Sequence, residues 1–295
     1  MTVVVAVPDD WALSWYEVSM RSSAKALVTV VLAALSGCSS VEDRNGLADS
    51  IGARAGMART VVAAERFNLL AYIRAQSPGQ SLTVYFEGDG KGWVGGRPPI
   101  NPTPTDPLAL RLAAQDGSGN VAYVARPCQF VDLDREARCD ESYWTGRRYA
   151  PEVVDAMNRA VDHLKARSRA SAVDLVGYSG GGAIAVLVAS RRTDVASIRT
   201  VAGNLDHVAL HANHGVSQMP QSLNAIDVAP ALARVPQVHY SGGRDPWVPP
   251  FVASRYAVRA GADSCVKSET FSGATHTEGW VEQWRMVVKD RPRCP

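Results

Sequence analysis

Apolar positions in this chain fall into short continuous runs, and the segments between them carry helical spacing. Runs within Phe67 to Ile73, Ser81 to Phe86, Val121 to Ala125, Ala172 to Val176, Val195 to Ala202, Gln237 to Tyr240 and Val266 to Phe271 have strand length. Such runs suit strands covered on both faces, because neither face needs polar side chains. Helices are predicted from Asp106-Pro107 through Ala114, with proline in the first turn, and at Gly180 to Ala189, Pro249 to Ala260 and Thr277 to Val288. Between Pro151 and Ala166, residues Val153, Val154, Met157, Ala160, Val161 and Leu164 share one helical face. The Gly- and Pro-dense stretch from Gly88 to Pro107 must be a loop. Strands alternating with helices predict an α/β fold with a mostly parallel sheet and helices on both faces. In such a sheet a site is expected at the carboxyl ends of the strands.

Composition narrows the picture. The chain has 295 residues, enough for one large domain, and 31 Lys plus Arg stand against 29 Asp plus Glu. So even a balance argues against nucleic acid as a partner, since phosphate binding needs clustered positive charge, and no such partner is expected.

The N-terminal part reads as a leader. Arg21 and Lys25 precede an apolar core, Ala26 to Leu35, that is too short to span a bilayer. Leu35-Ser36-Gly37-Cys38 resembles a bacterial lipobox, in which the cysteine is lipidated and becomes the mature N-terminus. That reading implies export to the cell envelope, with a lipid anchor in a membrane. Asp9, Asp10 and Glu17 do not suit an export leader, so translation is expected to start at Met20. The expected organisation is a leader over 1–37, a tether over 38–60 and one domain over 61–295. If Cys38 carries lipid, Cys128, Cys139, Cys265 and Cys294 remain, an even set suited to an oxidising compartment. Four cysteines allow three pairings, and Cys128 with Cys139 and Cys265 with Cys294 are favoured here.

Gly177-Tyr178-Ser179-Gly180-Gly181 is a GxSxG element between a predicted strand and a predicted helix. That context suits a sharp turn that lifts a serine hydroxyl above the sheet, with the Gly180 N–H aimed where an oxyanion would form. A serine needs a base, and His276 directly follows the last strand. Asp245, in the loop after the Gln237 to Tyr240 strand, is the candidate to orient the imidazole, with Asp206 as the second choice. The chain order Ser179, Asp245, His276 is that of α/β-hydrolases rather than of the chymotrypsin or subtilisin types.

On these residues the chain resembles the α/β-hydrolase superfamily, and more narrowly bacterial lipoproteins of that superfamily. The resemblance implies hydrolysis of an ester, less readily an amide, through an acyl-serine, with no cofactor and a small-molecule ester or acyl substrate. Acyl transfer on the same residues, or a non-catalytic envelope or binding lipoprotein, are the alternatives. It further implies a second oxyanion donor after the Leu82 to Phe86 strand, at the Asp89 N–H of Glu87-Gly88-Asp89-Gly90. Many esterases carry His-Gly there, so the Asp89 carboxylate must point away or hydrogen-bond locally. The long segment 203–234 is expected to form part of a cap. Within it His207, His211 and His214 share one helical face, but no accompanying motif marks a metal site. Trp93, Trp144 and Trp280 are candidates for a pocket wall or for ordinary core packing.

Overall fold

The computed structural model describes residues 40–91 and 97–294, so the leader, Cys38 and Trp93 lie outside the described residues. From Val41 onward the chain forms one compact unit. Its eight described strands are β1 Ala58–Ala64, β2 Phe67–Ala75, β3 Leu82–Phe86, β4 Asn120–Val124, β5 Val173–Tyr178, β6 Val195–Val201, β7 Gln237–Gly242 and β8 Val266–Phe271. They form one sheet in the order β1-β2-β4-β3-β5-β6-β7-β8. β3 to β8 run parallel, while β2 pairs antiparallel with both β1 and β4.

Seven helices flank the sheet among the described residues: α1 Val41–Arg54, α2 Leu108–Gln115, α3 Pro151–Ser168, α4 Gly180–Ala189, α5 His207–His214, α6 Phe251–Ala260 and α7 Trp280–Val287. One face of the sheet packs against α3, α4 and α6, with Val154, Met157, Ile184 and Val252 fully buried. The other packs against α1, α2 and α7, where Leu110, Trp280 and Trp284 fill the core. The result is the three-layer α/β architecture that the alternating pattern predicts. β3, β4 and β5 are buried at every position, as central parallel strands must be.

The segment 38–60, expected as a tether, is ordered structure from Val41 onward. α1 shows no apolar stripe because it packs through small residues: Gly52 lies against the ring of Tyr72, and Ala48 is buried. Tyr72 Oη donates to Asp49 Oδ1 at 2.5 Å, and Arg44 Nη1 donates to the Thr103 carbonyl at 3.0 Å. β1 is an edge strand whose short apolar run, Val61 to Ala64, buries only Val62 and Ala64.

Both favoured cysteine pairs are disulfides, Cys128–Cys139 and Cys265–Cys294. The first spans 11 residues and the second ties the C-terminal tail to the start of β8. Segment 203–234 holds α5 and two short 3-10 turns, Ala225–Val228 and Pro230–Leu232. Leu205, Leu210, Met219, Ala225, Ala229 and Leu232 from this segment join the sheet core.

Candidate active site

Ser179 stands between β5 and α4 with φ 51° and ψ −121°, a conformation that costs energy for a residue with a side chain. Backbone bonds hold it there. Its N–H donates to the Val201 carbonyl at 2.9 Å, and its carbonyl accepts from the Gly182 and Asn204 N–H groups, each at 2.9 Å. The turn is too tight for flanking side chains. A Cβ on Gly177 would lie 2.1 Å from the Gly181 carbonyl oxygen, and one on Gly181 would lie 2.3 Å from that of Phe86.

The hydroxyl meets the predicted base. His276 Nε2 lies 3.0 Å from Ser179 Oγ, and His276 Nδ1 lies 2.8 Å from Asp245 Oδ2. Asp245 is fixed in turn, because its Oδ1 accepts from the N–H groups of Trp247 at 2.8 Å and Val248 at 2.9 Å. Its side chain is fully buried, while that of His276, which stands between it and Ser179, is 16% exposed. The loop carrying His276 is pinned through its carbonyl, which accepts from Tyr178 Oη at 3.2 Å and Trp280 Nε1 at 3.1 Å. The ring of Tyr178 also flanks the imidazole, with centroids 5.5 Å apart. Each of the three residues lies at the carboxyl end of its strand, β5, β7 or β8, so parallel neighbours bring them together.

The loop after β3 closes on the same point. A Cβ on Gly88 would approach Ser179 Cβ to 3.3 Å, and one on Gly180 would meet Asp89 Oδ1 at 2.0 Å. Asp89 therefore lies beside the first turn of α4, and its side chain bonds to residues distant in sequence rather than locally. Long-range partners neutralise it instead. Oδ1 accepts from Arg126 Nη1 at 2.9 Å; Oδ2 accepts from Arg148 Nη1 at 3.0 Å and from Tyr149 Oη at 2.9 Å. Burial would raise the Asp89 carboxyl, but Arg148 and Arg126 outweigh it and hold the group below the usual carboxylate range. Gln129 secures the loop, donating from Nε2 to the Gly88 carbonyl at 3.0 Å and accepting from the Arg126 N–H at 3.1 Å. Among the described residues no acceptor occupies the Asp89 N–H, and the Gly180 N–H belongs to the open first turn of α4. Arg126, Arg148, Tyr149 and Gln129 were not foreseen from sequence. They come from two loops remote from Asp89, and no local motif marks them.

Glu87, where many esterases carry histidine, is buried beneath this loop. Its Oε1 accepts from the Gly88 N–H at 2.9 Å and the Ala109 N–H at 3.4 Å. Burial pushes its carboxyl up to about 7 against those hydrogen bonds. A raised carboxyl makes folding favour the protonated form, so this contribution to stability is complete at low pH and is lost as pH rises through about 7. Glu87→Gln removes the cost of the ionised form, about 3 kcal/mol at most. Melting of the variant and the parent should nearly coincide at pH 5, with the variant several degrees higher at pH 8. An offset of equal size at both pH values would show that Glu87 is not the titrating group.

Other candidates have different occupations. Asp206 caps α5 through the Ala209 N–H at 3.1 Å, accepts from Asn224 Nδ2 at 3.0 Å and pairs with Arg255 at 2.9 Å, which leaves Asp245 as the partner of His276. The rings of His207 and His211 lie edge to face with centroids 5.9 Å apart, but the three histidines have separate partners. His207 is buried against Tyr149, His211 Nδ1 contacts the Ser217 carbonyl at 2.6 Å, and His214 Nε2 contacts that of Trp247 at 2.8 Å. No metal-binding cluster occurs among the described residues. Trp280 is a core residue, and Trp144 Nε1 donates to the Pro99 carbonyl at 2.9 Å.

No protein-family model and no curated protein matches the sequence. Solved structures do match in shape. An alpha-beta serine hydrolase homologue from Coxiella burnetii is 17% identical, with a TM-score of 0.54 over 78% of this chain and 95% of that one. Est1E from Butyrivibrio proteoclasticus is 13% identical, with a TM-score of 0.56 over 79% of this chain and 96% of that one. The Pyrococcus furiosus esterase Pf2001 is 13% identical, with a TM-score of 0.57 over 79% and 90% of the two chains. These similarities establish the α/β-hydrolase fold.

Proposed function

We propose that the chain is a serine hydrolase that cleaves an ester through an acyl-Ser179 intermediate. The observation that carries this reading is the unbroken relay from Ser179 Oγ through His276 to the buried Asp245, at 3.0 Å and 2.8 Å. The fold supports it, because the relay lies at the strand ends where such folds place their chemistry.

Asp245 keeps the proton of His276 on Nδ1, which leaves Nε2 free to accept the proton of the Ser179 hydroxyl. The oxygen then forms a bond to the ester carbonyl carbon. The developing oxyanion is held by the N–H groups of Gly180 and Asp89, already oriented before substrate arrives. The clamp on Asp89 keeps its carboxylate from opposing that charge. Collapse breaks the ester C–O bond, and the His276 proton goes to the departing alkoxide. Water, deprotonated by the same imidazole, then attacks the acyl-enzyme, releases the acid and restores Ser179. No step requires a cofactor.

Anchoring to a membrane through lipid on Cys38, and export to the cell envelope, belong to the same proposal and rest on the leader and the lipobox-like sequence. Among the described residues no helix is long and apolar enough to cross a membrane. The test of the chemistry is rapid mixing with 4-nitrophenyl acetate and 4-nitrophenyl octanoate. A burst of nitrophenolate equal to the enzyme concentration, followed by slower turnover, is expected for at least one ester. Absence of both burst and turnover from folded protein with both disulfides formed would favour a non-catalytic binding lipoprotein.

A further inference from the structure

α1 runs from the catalytic edge of the sheet to the opposite one. At its C-terminal end the Ala55 carbonyl accepts from Arg74 Nη1 at 2.6 Å, and Arg74 pairs with Val121 near the start of β4. At its N-terminal end Arg44 Nη1 donates to the Thr103 carbonyl at 3.0 Å, in the loop that follows β3. The neighbouring Pro102 carbonyl accepts from the Lys91 N–H at 3.1 Å, beside the Gly88-Asp89 turn. Cys38 precedes Val41 by three residues, a span of at most about 11 Å. A lipid carried on Cys38 is therefore tethered to the same edge as Ser179.

That edge also carries exposed apolar side chains. Of eight exposed large apolar residues among those described, five are Ile100, Val208, Val216, Leu223 and Trp247. They lie on the loop after β3, the segment 203–234 and the loop after β7, and the other three are divided among β1, α6 and α7. Hydrogen bonds link the five into an arc from one side of the nucleophile to the other. Trp144 Nε1 donates to the Pro99 carbonyl beside Ile100, and Ser222 Oγ, beside Leu223, donates to the Gly146 carbonyl at 2.9 Å. The segment bearing Val208 and Val216 starts at Asn204, whose N–H holds the Ser179 carbonyl. His214, at the end of α5, meets the Trp247 carbonyl, and the Trp247 N–H holds Asp245. Trp247 is 66% exposed and Ile100 94%. Single apolar side chains on a surface are ordinary, but a group of them around a reactive centre marks a place where something apolar docks. Tryptophan suits the boundary between headgroups and hydrocarbon, because its ring is apolar and its N–H polar.

We infer that the catalytic edge lies on the bilayer that holds the anchor, with Trp247 and Ile100 entering the lipid surface. The substrates are then long-chain acyl esters that reach Ser179 out of the bilayer. The inference rests on the hydrolase and anchor readings above. A lipid anchor keeps a protein near a membrane, and apolar side chains entering the surface add to the attachment and set which edge faces it. Ser179 and His276 are half-buried at that edge, so docking brings the nucleophile to esters held in the membrane.

The experiment reconstitutes the full-length chain, processed by a bacterial host, into vesicles of phosphatidylcholine and phosphatidylglycerol with or without bromine on the acyl chains. Brominated chains should quench tryptophan emission of the parent, and that loss of emission should shrink in Trp247→Phe. Equal quenching in the two proteins would overturn the docked edge, whether Trp247 then faces water or is covered by a second copy of the chain. Kinetics supply a second readout, the rate with 4-nitrophenyl palmitate in the vesicles divided by the rate with soluble 4-nitrophenyl acetate. The ratio should drop at least about fivefold in Ile100→Ser with Trp247→Ser, whatever the change in absolute rates. An unchanged ratio, or hydrolysis of the acetate without the palmitate, would overturn delivery from the bilayer and leave the hydrolase reading intact. Quenching that depends on Trp247 with turnover of neither ester would support the docked edge and count against the hydrolase reading alone.

Discussion

Ser179→Ala should lower kcat/KM toward activated esters by roughly three to six orders of magnitude and leave melting within about a degree of the parent. The large loss follows from the oxygen being the atom that bonds to the acyl carbon, which no neighbour replaces. His276 would still reach a water, and the N–H groups of Gly180 and Asp89 would remain, so a small residual rate above the solvent background is expected. The small stability change follows from the structure of the turn. Its strained backbone is fixed by bonds of the Ser179 N–H and carbonyl, not by the hydroxyl. Alanine inherits the same φ and the same bonds. Steady-state kinetics and thermal unfolding of the variant check both halves. A loss of less than about tenfold would remove Ser179 from the chemistry.

The second large effect belongs to Asp245→Asn, with an expected loss of roughly three to four orders of magnitude in kcat. The carboxylate makes three bonds: two from the N–H groups of Trp247 and Val248 to Oδ1, and one to His276 through Oδ2. An asparagine retains the first two by turning its carbonyl oxygen toward them, so the loop keeps its shape. Its amide nitrogen then faces His276 Nδ1 and donates to it. The imidazole must carry its proton on Nε2, where it donates to Ser179 instead of accepting from it. Geometry is preserved while the base is lost. Measurement of kcat alongside the melting curve separates this from unfolding. Near-normal turnover would send the search for the acid elsewhere, although Asp206 is committed to the cap of α5 and to Arg255.

The relay was legible in the sequence because each member follows a segment that becomes a parallel strand, and parallel strands deliver their loops to one edge, although β8 is an edge strand that is apolar only at its two ends. GxSxG marks one such loop, Arg244-Asp245-Pro246 another, and the segment ending in His276 the third. Other features carry no such signature. α1 packs by placing Gly52 under an aromatic ring, which periodicity of large apolar residues does not reveal. β1 was hidden because its apolar run, Val61 to Ala64, is only four residues long and buries only Val62 and Ala64. The environment of Asp89 was hidden for a third reason. Its partners Arg126, Arg148 and Tyr149 are separated from it by 37, 59 and 60 residues, and only the folded chain brings them to its carboxylate. The sequence posed the question of an acidic residue beside an oxyanion site, and tertiary ion pairing answers it.

Activation of Ser179 is tested by covalent labelling of the purified protein with a fluorophosphonate probe, read by peptide mass spectrometry. One equivalent of label is expected on the peptide containing Ser179, with no label in Ser179→Ala and sharply slower labelling in His276→Ala. Failure of folded, disulfide-intact protein to react, or label on a different residue, would contradict it.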